Sequence, residues 1–109
     1  MFKVATEPTF QHTIKARVPV DGGFRDESFK ATYRVLEPEK IEAIDMGSTQ
    51  GTLDFLRTIV VRLDDIGDAE GKAVEYSDEV LEQVLKLPYA RRALITAYFE
   101  GVSGAKQGN

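Results

Sequence analysis

The sequence contains no cysteine, no tryptophan and a single histidine. Without cysteine there is no disulfide and no thiolate metal site, so the fold must rest on packing alone. Long hydrophobic runs are missing as well. No apolar stretch approaches the roughly 20 residues of a membrane span, and residues 1–8 (MFKVATEP) carry no signal-peptide pattern. Positive charge is in deficit: Lys and Arg number 14 against 18 Asp and Glu, a net charge of -4. No basic run occurs beyond Arg91-Arg92. An acidic surface of this kind repels phosphate backbones, so neither nucleic acid nor membrane is an expected partner. Together these absences point to the cytosol of the cell that makes the protein.

The motifs of catalysis are equally sparse. Gly22-Gly23 lacks the lysine and the strand–helix context of a phosphate-binding loop. No serine lies in a nucleophile-elbow pattern. His12 falls in phase with Phe10 and Ile14, a structural position near a strand end, with no nucleophile or carboxylate partner set beside it by motif. Asp64, Asp65, Asp68 and Glu70 form the one acidic cluster, but Ile66 and Gly67 interrupt the alternation that a calcium loop needs. No catalytic residue, cofactor or metal is therefore expected, and the chain does not read as an enzyme.

What is present is a chain of 109 residues with 42% hydrophobic and 29% charged residues. That describes one globular domain able to bury roughly two-thirds of its unfolded surface. From Thr9 to Val20, Phe10, His12, Ile14, Ala16, Val18 and Val20 alternate with Thr9, Gln11, Thr13, Lys15 and Arg17, the period of a half-buried strand. Asp21-Gly22-Gly23 is a turn signal. A second alternation sets Phe29, Ala31, Tyr33 and Val35 against Ser28, Lys30, Thr32 and Arg34. The two runs predict a β-hairpin with one apolar face and one polar, cationic face (Lys15, Arg17, Lys30, Arg34), with Phe24–Glu27 as an irregular tip.

Pro38 opens a short helix through Ile41 and Ile44 to about Met46, stopped by Gly47. Ser48 or Thr49 caps the next, whose stripe is Leu53, Leu56, Val60 and Leu63; the β-branched Ile59-Val60-Val61 leaves its end ambiguous. Residues 64–73 make a polar loop, and Val74 and Tyr76 are candidates for an extra short strand. Ser77 caps a helix bearing Val80, Leu81, Val84 and Leu85. Pro88 breaks it and opens the last helix, Tyr89 to about Val102. The expected architecture is α+β: an N-terminal hairpin packed against about four short helices in a single domain, with residues 1–8 and 102–109 expected to be flexible.

The last helix carries the functional signal. Ala90, Ala93, Leu94, Ile95, Ala97, Tyr98, Phe99 and Val102 span an arc of roughly 240°, with Arg92, Thr96 and Glu100 in the remainder. A surface helix needs a narrower stripe. Either the helix crosses the core, or part of its face is left for a partner. The candidate contact residues are Leu94, Tyr98, Phe99 and Val102, aromatics being natural anchors of protein interfaces.

The stretch FKATYRVLEPEKIEAI resembles the aromatic-x-Ala-x-aromatic, Leu, acidic-helix segment of phage tail assembly chaperones. The stretch from Ile59 to the C-terminus is similar to that family's second half. It has a β-branched run, an acidic D-x-x-G turn, a V-x-aromatic-S segment, a Leu-x-x-Pro break and an Arg-x-Ala-Leu-x-x-Ala-Tyr helix. The chain departs from the family in having Arg62-Leu63 where Gly-Trp is common, and Tyr76 where phenylalanine is usual. The resemblance implies a non-enzymatic protein of a long-tailed phage or prophage, working in the cytoplasm of the bacterial host and absent from the mature virion. Its expected partners are the tape measure protein, which it keeps soluble, and the tail tube protein, reached in some relatives through a frameshifted longer form. The rival expectation is a small structural virion protein, such as a head–tail connector or tail terminator.

Overall fold

A computed structural model describes residues 1–104 of the chain. The elements run β1 (Thr9–Val20), β2 (Gly23–Arg34), α1 (Pro38–Glu42), α2 (Thr49–Ile59), β3 (Val60–Asp64), α3 (Asp78–Leu85) and α4 (Pro88–Ser103). The fold is α+β, a three-stranded antiparallel sheet of order β1-β2-β3 with four helices.

The hairpin is more regular than its sequence suggests. β1 and β2 pair without interruption from Thr9↔Arg34 to Val20↔Gly23, closed by a two-residue turn of Asp21 and Gly22. Gly22 takes φ 78°, a left-handed value that glycine adopts without steric cost. Phe24–Glu27 are therefore paired strand residues and not an irregular tip.

The third strand lies where a helix stripe was expected. α2 ends at Ile59 and β3 begins at once, with Val60 already extended (ψ 117°). Tyr33 pairs with Val60 and Thr32 with Arg62, so Val61 is an extra, bulged residue. In a regular strand, Val60 and Leu63 would face opposite sides. The bulge turns both inward, and both are buried. Their spacing of three imitates a helical stripe, which is why sequence periodicity extends α2 too far.

Two other expectations change. α1 stops at Glu42 because Asp45 takes over the local bonding. Its carboxylate accepts from the Gly47 N–H (3.0 Å) and its carbonyl from the Ser48 N–H (3.2 Å). Val74 and Tyr76 form no strand. The loop folds on itself instead: a single bridge joins Gly67 and Ala73, and the Asp68 carboxylate accepts from the Glu70 and Lys72 N–H groups at 2.9 Å. Ser48 and Ser77 cap α2 and α3, their hydroxyls accepting from the Gly51 and Val80 N–H groups. α4 runs through Ser103, so Val102 and Ser103 are helical, while residues 105–109 of the expected loose tail lie outside the described residues.

The core is built from Ile14 and Ala16 of β1, Phe29, Ala31 and Tyr33 of β2, Val60 and Leu63 of β3, and the inner faces of α2, α3 and α4. At its centre, the Tyr33 hydroxyl donates to the Leu94 carbonyl (2.7 Å) and the Tyr98 hydroxyl accepts from the Leu36 N–H (3.0 Å). The two rings meet edge to face at 5.3 Å. Burial pushes the Tyr33 phenol well above its ordinary value. Farther along α4, Gly101 allows the helix to approach β1. A Cβ there would overlap the Phe10 ring and come within 3.1 Å of His12 Nε2. On the surface, Arg57 ties α2 to α3 through two bonds to the Glu82 carboxylate (2.9 and 2.7 Å), and its guanidinium holds that carboxyl below the usual range.

The tyrosine pair yields two predictions. Tyr98→Phe strands the buried Leu36 N–H and should cost about 1–3 kcal/mol. Tyr33→Phe should cost less, about 0.5–1.5 kcal/mol, because the Leu94 carbonyl keeps its helical partner. Urea unfolding measures both, and equal losses would contradict the assignment. The raised Tyr33 value also fixes a pH dependence. The unfolded phenol ionises near its ordinary value of about 10 and the folded one does not, so stability should fall as pH rises above about 10. Repeating the urea titrations at about pH 8 and about pH 11 should show a smaller alkaline loss in Tyr33→Phe than in the parent protein.

Candidate functional site

Among the described residues α4 is the longest helix, and it combines broad contact with β1 and contact with both α2 and α3. Pro88 sets its start, since a proline at the first helical position lacks only an N–H that has no helical partner anyway. Gly104, at φ 77°, closes its end. Between them the helix divides into three strips. Ala90, Leu94, Ala97 and Tyr98 are buried in the core. Phe99 lies on a flank toward α2, against Phe55, and helical spacing puts Ile95 and Val102 on the same stripe. Tyr89, Arg92, Ala93, Thr96 and Glu100 face a groove beside β1.

The four residues singled out for partner contact are thereby split. Leu94 and Tyr98 are fully buried and hold the core together. Phe99 and Val102 remain 39% and 41% exposed. Phe99 stacks in parallel on Phe55 of α2, ring centroids 5.8 Å apart, and meets Tyr98 edge to face. Half-buried Ile95 lies one turn back. At spacings of four and three residues, these side chains make a short apolar stripe whose base is fixed by the aromatic core. Sequence periodicity finds the stripe but cannot separate it from the buried one beside it, because both belong to a single wide arc.

The groove on the other flank encloses about 840 Å³ between α4 and the odd-numbered residues Thr13, Lys15, Arg17 and Pro19 of β1. Its α4 wall is made largely of small residues, Ala93, Thr96 and Ala97. Its rim carries Lys15, Arg17 and Arg92 against one acid, Glu100. The expected four-residue cationic stripe is thus divided. Lys30 pairs with Asp65 at 3.7 Å, whereas Lys15 and Arg17 belong to the groove. The Arg17 guanidinium lies 3.6 Å from the centre of the Phe24 ring. Pro88, Tyr89 and Arg92 were not legible as site residues. Their signal was the cluster of small and polar positions on one side of an otherwise apolar helix.

A smaller hollow of about 600 Å³ lies under Val18 and Phe29 and is bounded by residues 65–69, Leu87 and Tyr89. Asp65 and Asp68 reach it; His12 and Asp64 do not. His12 is on the inner face near Phe10, its Nδ1 2.9 Å from the Gln11 carbonyl oxygen, while Asp64 is on the opposite face of the sheet, bonded to Arg62. His12 and Asp64 are therefore not brought together with Asp65 and Asp68. Among the described residues no cluster of His, Asp or Glu could hold a metal ion, and no helix is long and apolar enough to cross a membrane. Comparison with protein-family models, curated proteins and solved structures gives no match.

The division of α4 predicts opposite responses from neighbouring positions. Leu94→Ala should cost about 2–5 kcal/mol by opening a core cavity. Val102→Lys should change stability by no more than about 0.5 kcal/mol. Chemical denaturation of both variants checks the partition, and a large loss in Val102→Lys would show that this end of the helix is structural.

Proposed function

We propose that this chain is a phage tail assembly chaperone, a binding protein that holds the tape measure protein in solution until tail tube subunits replace it. The single observation that carries the reading is the apolar stripe Ile95–Phe99–Val102, seated on Phe55 at the surface of an acidic protein. Its support in sequence is the chaperone-like succession of segments from Phe29 onward.

The physics suits the task. A tape measure protein presents long apolar helical faces before the tube encloses it. A chaperone without an energy source must cover such a face weakly and release it to a competitor. Three half-exposed side chains give modest affinity per copy, and many copies along one client supply the rest through avidity. Charged and polar residues around an apolar centre are the usual composition of a non-obligate interface. The net charge of -4 keeps the coated complex soluble. On this reading the protein acts in the cytoplasm of the bacterial host and does not remain in the finished particle, unlike a connector or tail terminator.

Co-expression with the tape measure protein of the same genome provides the test. The client should stay in the soluble fraction with the parent chain. It should pellet without it, and also with the Phe99→Lys/Val102→Lys variant, whose folding is verified by circular dichroism. A client that is equally insoluble with and without the parent chain would sink the proposal.

A further inference from the structure

We infer that the N-terminal arm, residues 1–8, is the second half of the partner site: when an amphipathic helix lies on the Ile95–Phe99–Val102 stripe, Phe2 and Val4 fold over it as a strap. The inference rests on the proposed reading of that stripe as the client surface. It adds the element that holds the client there.

Every residue of the arm is exposed. Phe2 and Val4 are 92% and 88% exposed, whereas Phe24, the most exposed large hydrophobic side chain beyond the arm, is at 54%. No arm residue belongs to the core. Two large apolar side chains are thus left in water without any contact in the domain that offsets their exposure. Spaced two apart, Phe2 and Val4 share one side of an extended segment, and Lys3 takes the other. Extended, the arm is a short amphipathic ribbon.

The root of the arm decides what it reaches. The Pro8 carbonyl accepts from the Val35 N–H (3.0 Å), and the next N–H along the chain, that of Leu36, donates to the Tyr98 hydroxyl (3.0 Å). The Tyr98 ring lies 5.3 Å from Phe99 and 5.5 Å from Phe55. Two hydrogen bonds therefore join the root to the aromatic cluster that carries the stripe. Phe2 stands six residues from Pro8, about 20 Å of extended chain. The path through those contacts from Pro8 to Phe99 is about 18 Å. The stripe is within the reach of the arm.

Closure over the bare stripe is not the favoured state. Ordering the arm costs at least as much as the burial of Phe2 and Val4 against three half-exposed side chains returns, and in the structure the arm stands clear of the domain. A bound helix changes that balance. It gives Phe2 and Val4 a second apolar wall, and the strap covers client surface that the stripe does not touch. α2 and α4 supply a two-helix floor with Phe55 and Phe99 stacked between them, a surface onto which the side-chain ridges of a third helix pack. An arm exchanged with a second copy meets the same unfavourable ordering cost and loses translational freedom besides.

The test uses a fluorescein-labelled amphipathic helical peptide of about 18 residues, with leucine on one face and glutamate and lysine on the other, titrated with the full chain. The parent should bind with a dissociation constant below about 100 μM. Deletion of residues 2–7, and the variant Phe2→Ser/Val4→Ser, should each bind at least about tenfold more weakly while keeping the parent's unfolding midpoint. The peptide should also shift the Lys3 and Val4 amide resonances of the ¹⁵N-labelled parent. Equal binding with and without the arm, lost in Phe99→Lys/Val102→Lys, would overturn the inference and leave the stripe reading intact. Tighter binding without the arm would make it a cover for the empty stripe, and concentration-dependent dimerisation lost on deletion would make a second copy its partner; either result overturns the inference. A parent chain that does not bind the peptide overturns the inference together with the stripe reading.

Discussion

Two buried hydroxyls fix the position of α4, and everything presented at the surface follows from that position. Tyr33 reaches from the sheet to a carbonyl of the helix, and Tyr98 reaches from the helix to the N–H of Leu36 just beyond β2. A hydrophobic contact alone tolerates sliding and rotation, because dispersion and desolvation are non-directional. Two directional hydrogen bonds at separate points, both accepted by α4 from donors on β2 and just beyond it, do not. They fix the rotation of α4 about its own axis. Phe99 thereby stacks on Phe55 of α2 with Val102 exposed farther along the same stripe, and Arg92 and Thr96 line the groove beside β1. Gly101 allows the close approach to Phe10 that this placement needs.

The surface is accordingly partitioned by chemistry. One flank of α4 is apolar and rests on a stacked aromatic pair, Phe55 and Phe99. The other borders a cationic groove against an edge strand. The two surfaces lie on different flanks of a single helix and thus differ in chemistry, one apolar and one mainly cationic.

The candidate site was half legible before the fold was known. The wide apolar arc of α4 announced more greasy surface than a surface helix requires, and Phe99 and Val102 are its exposed part. Leu94 and Tyr98 occupy the same arc in the sequence and are core in the structure, because a helical projection gives angles and not the positions of neighbouring elements. Tyr98 carries a hydroxyl that could have suited an interface, but its partner is the Leu36 N–H, more than sixty residues away. The basic stripe of the hairpin was also visible as a pattern. Its division into a paired Lys30 and groove-facing Lys15 and Arg17 was not, since that depends on where Asp65 and α4 come to lie.

By itself the sequence determined the local structure: the alternating hairpin, the serine caps before α2 and α3, the proline openings of α1 and α4, and the absence of any cysteine or membrane-length apolar run. Those features depend on residues within a few positions of one another. Only the tertiary structure decided that Val60–Asp64 is a strand, since a bulge at Val61 gives Val60 and Leu63 the same facing at a helical spacing. It also decided which strip of α4 is buried and which edge of the sheet meets a groove. These outcomes are set by hydrogen bonds and packing between distant segments, and local periodicity carries no information about which segments those are.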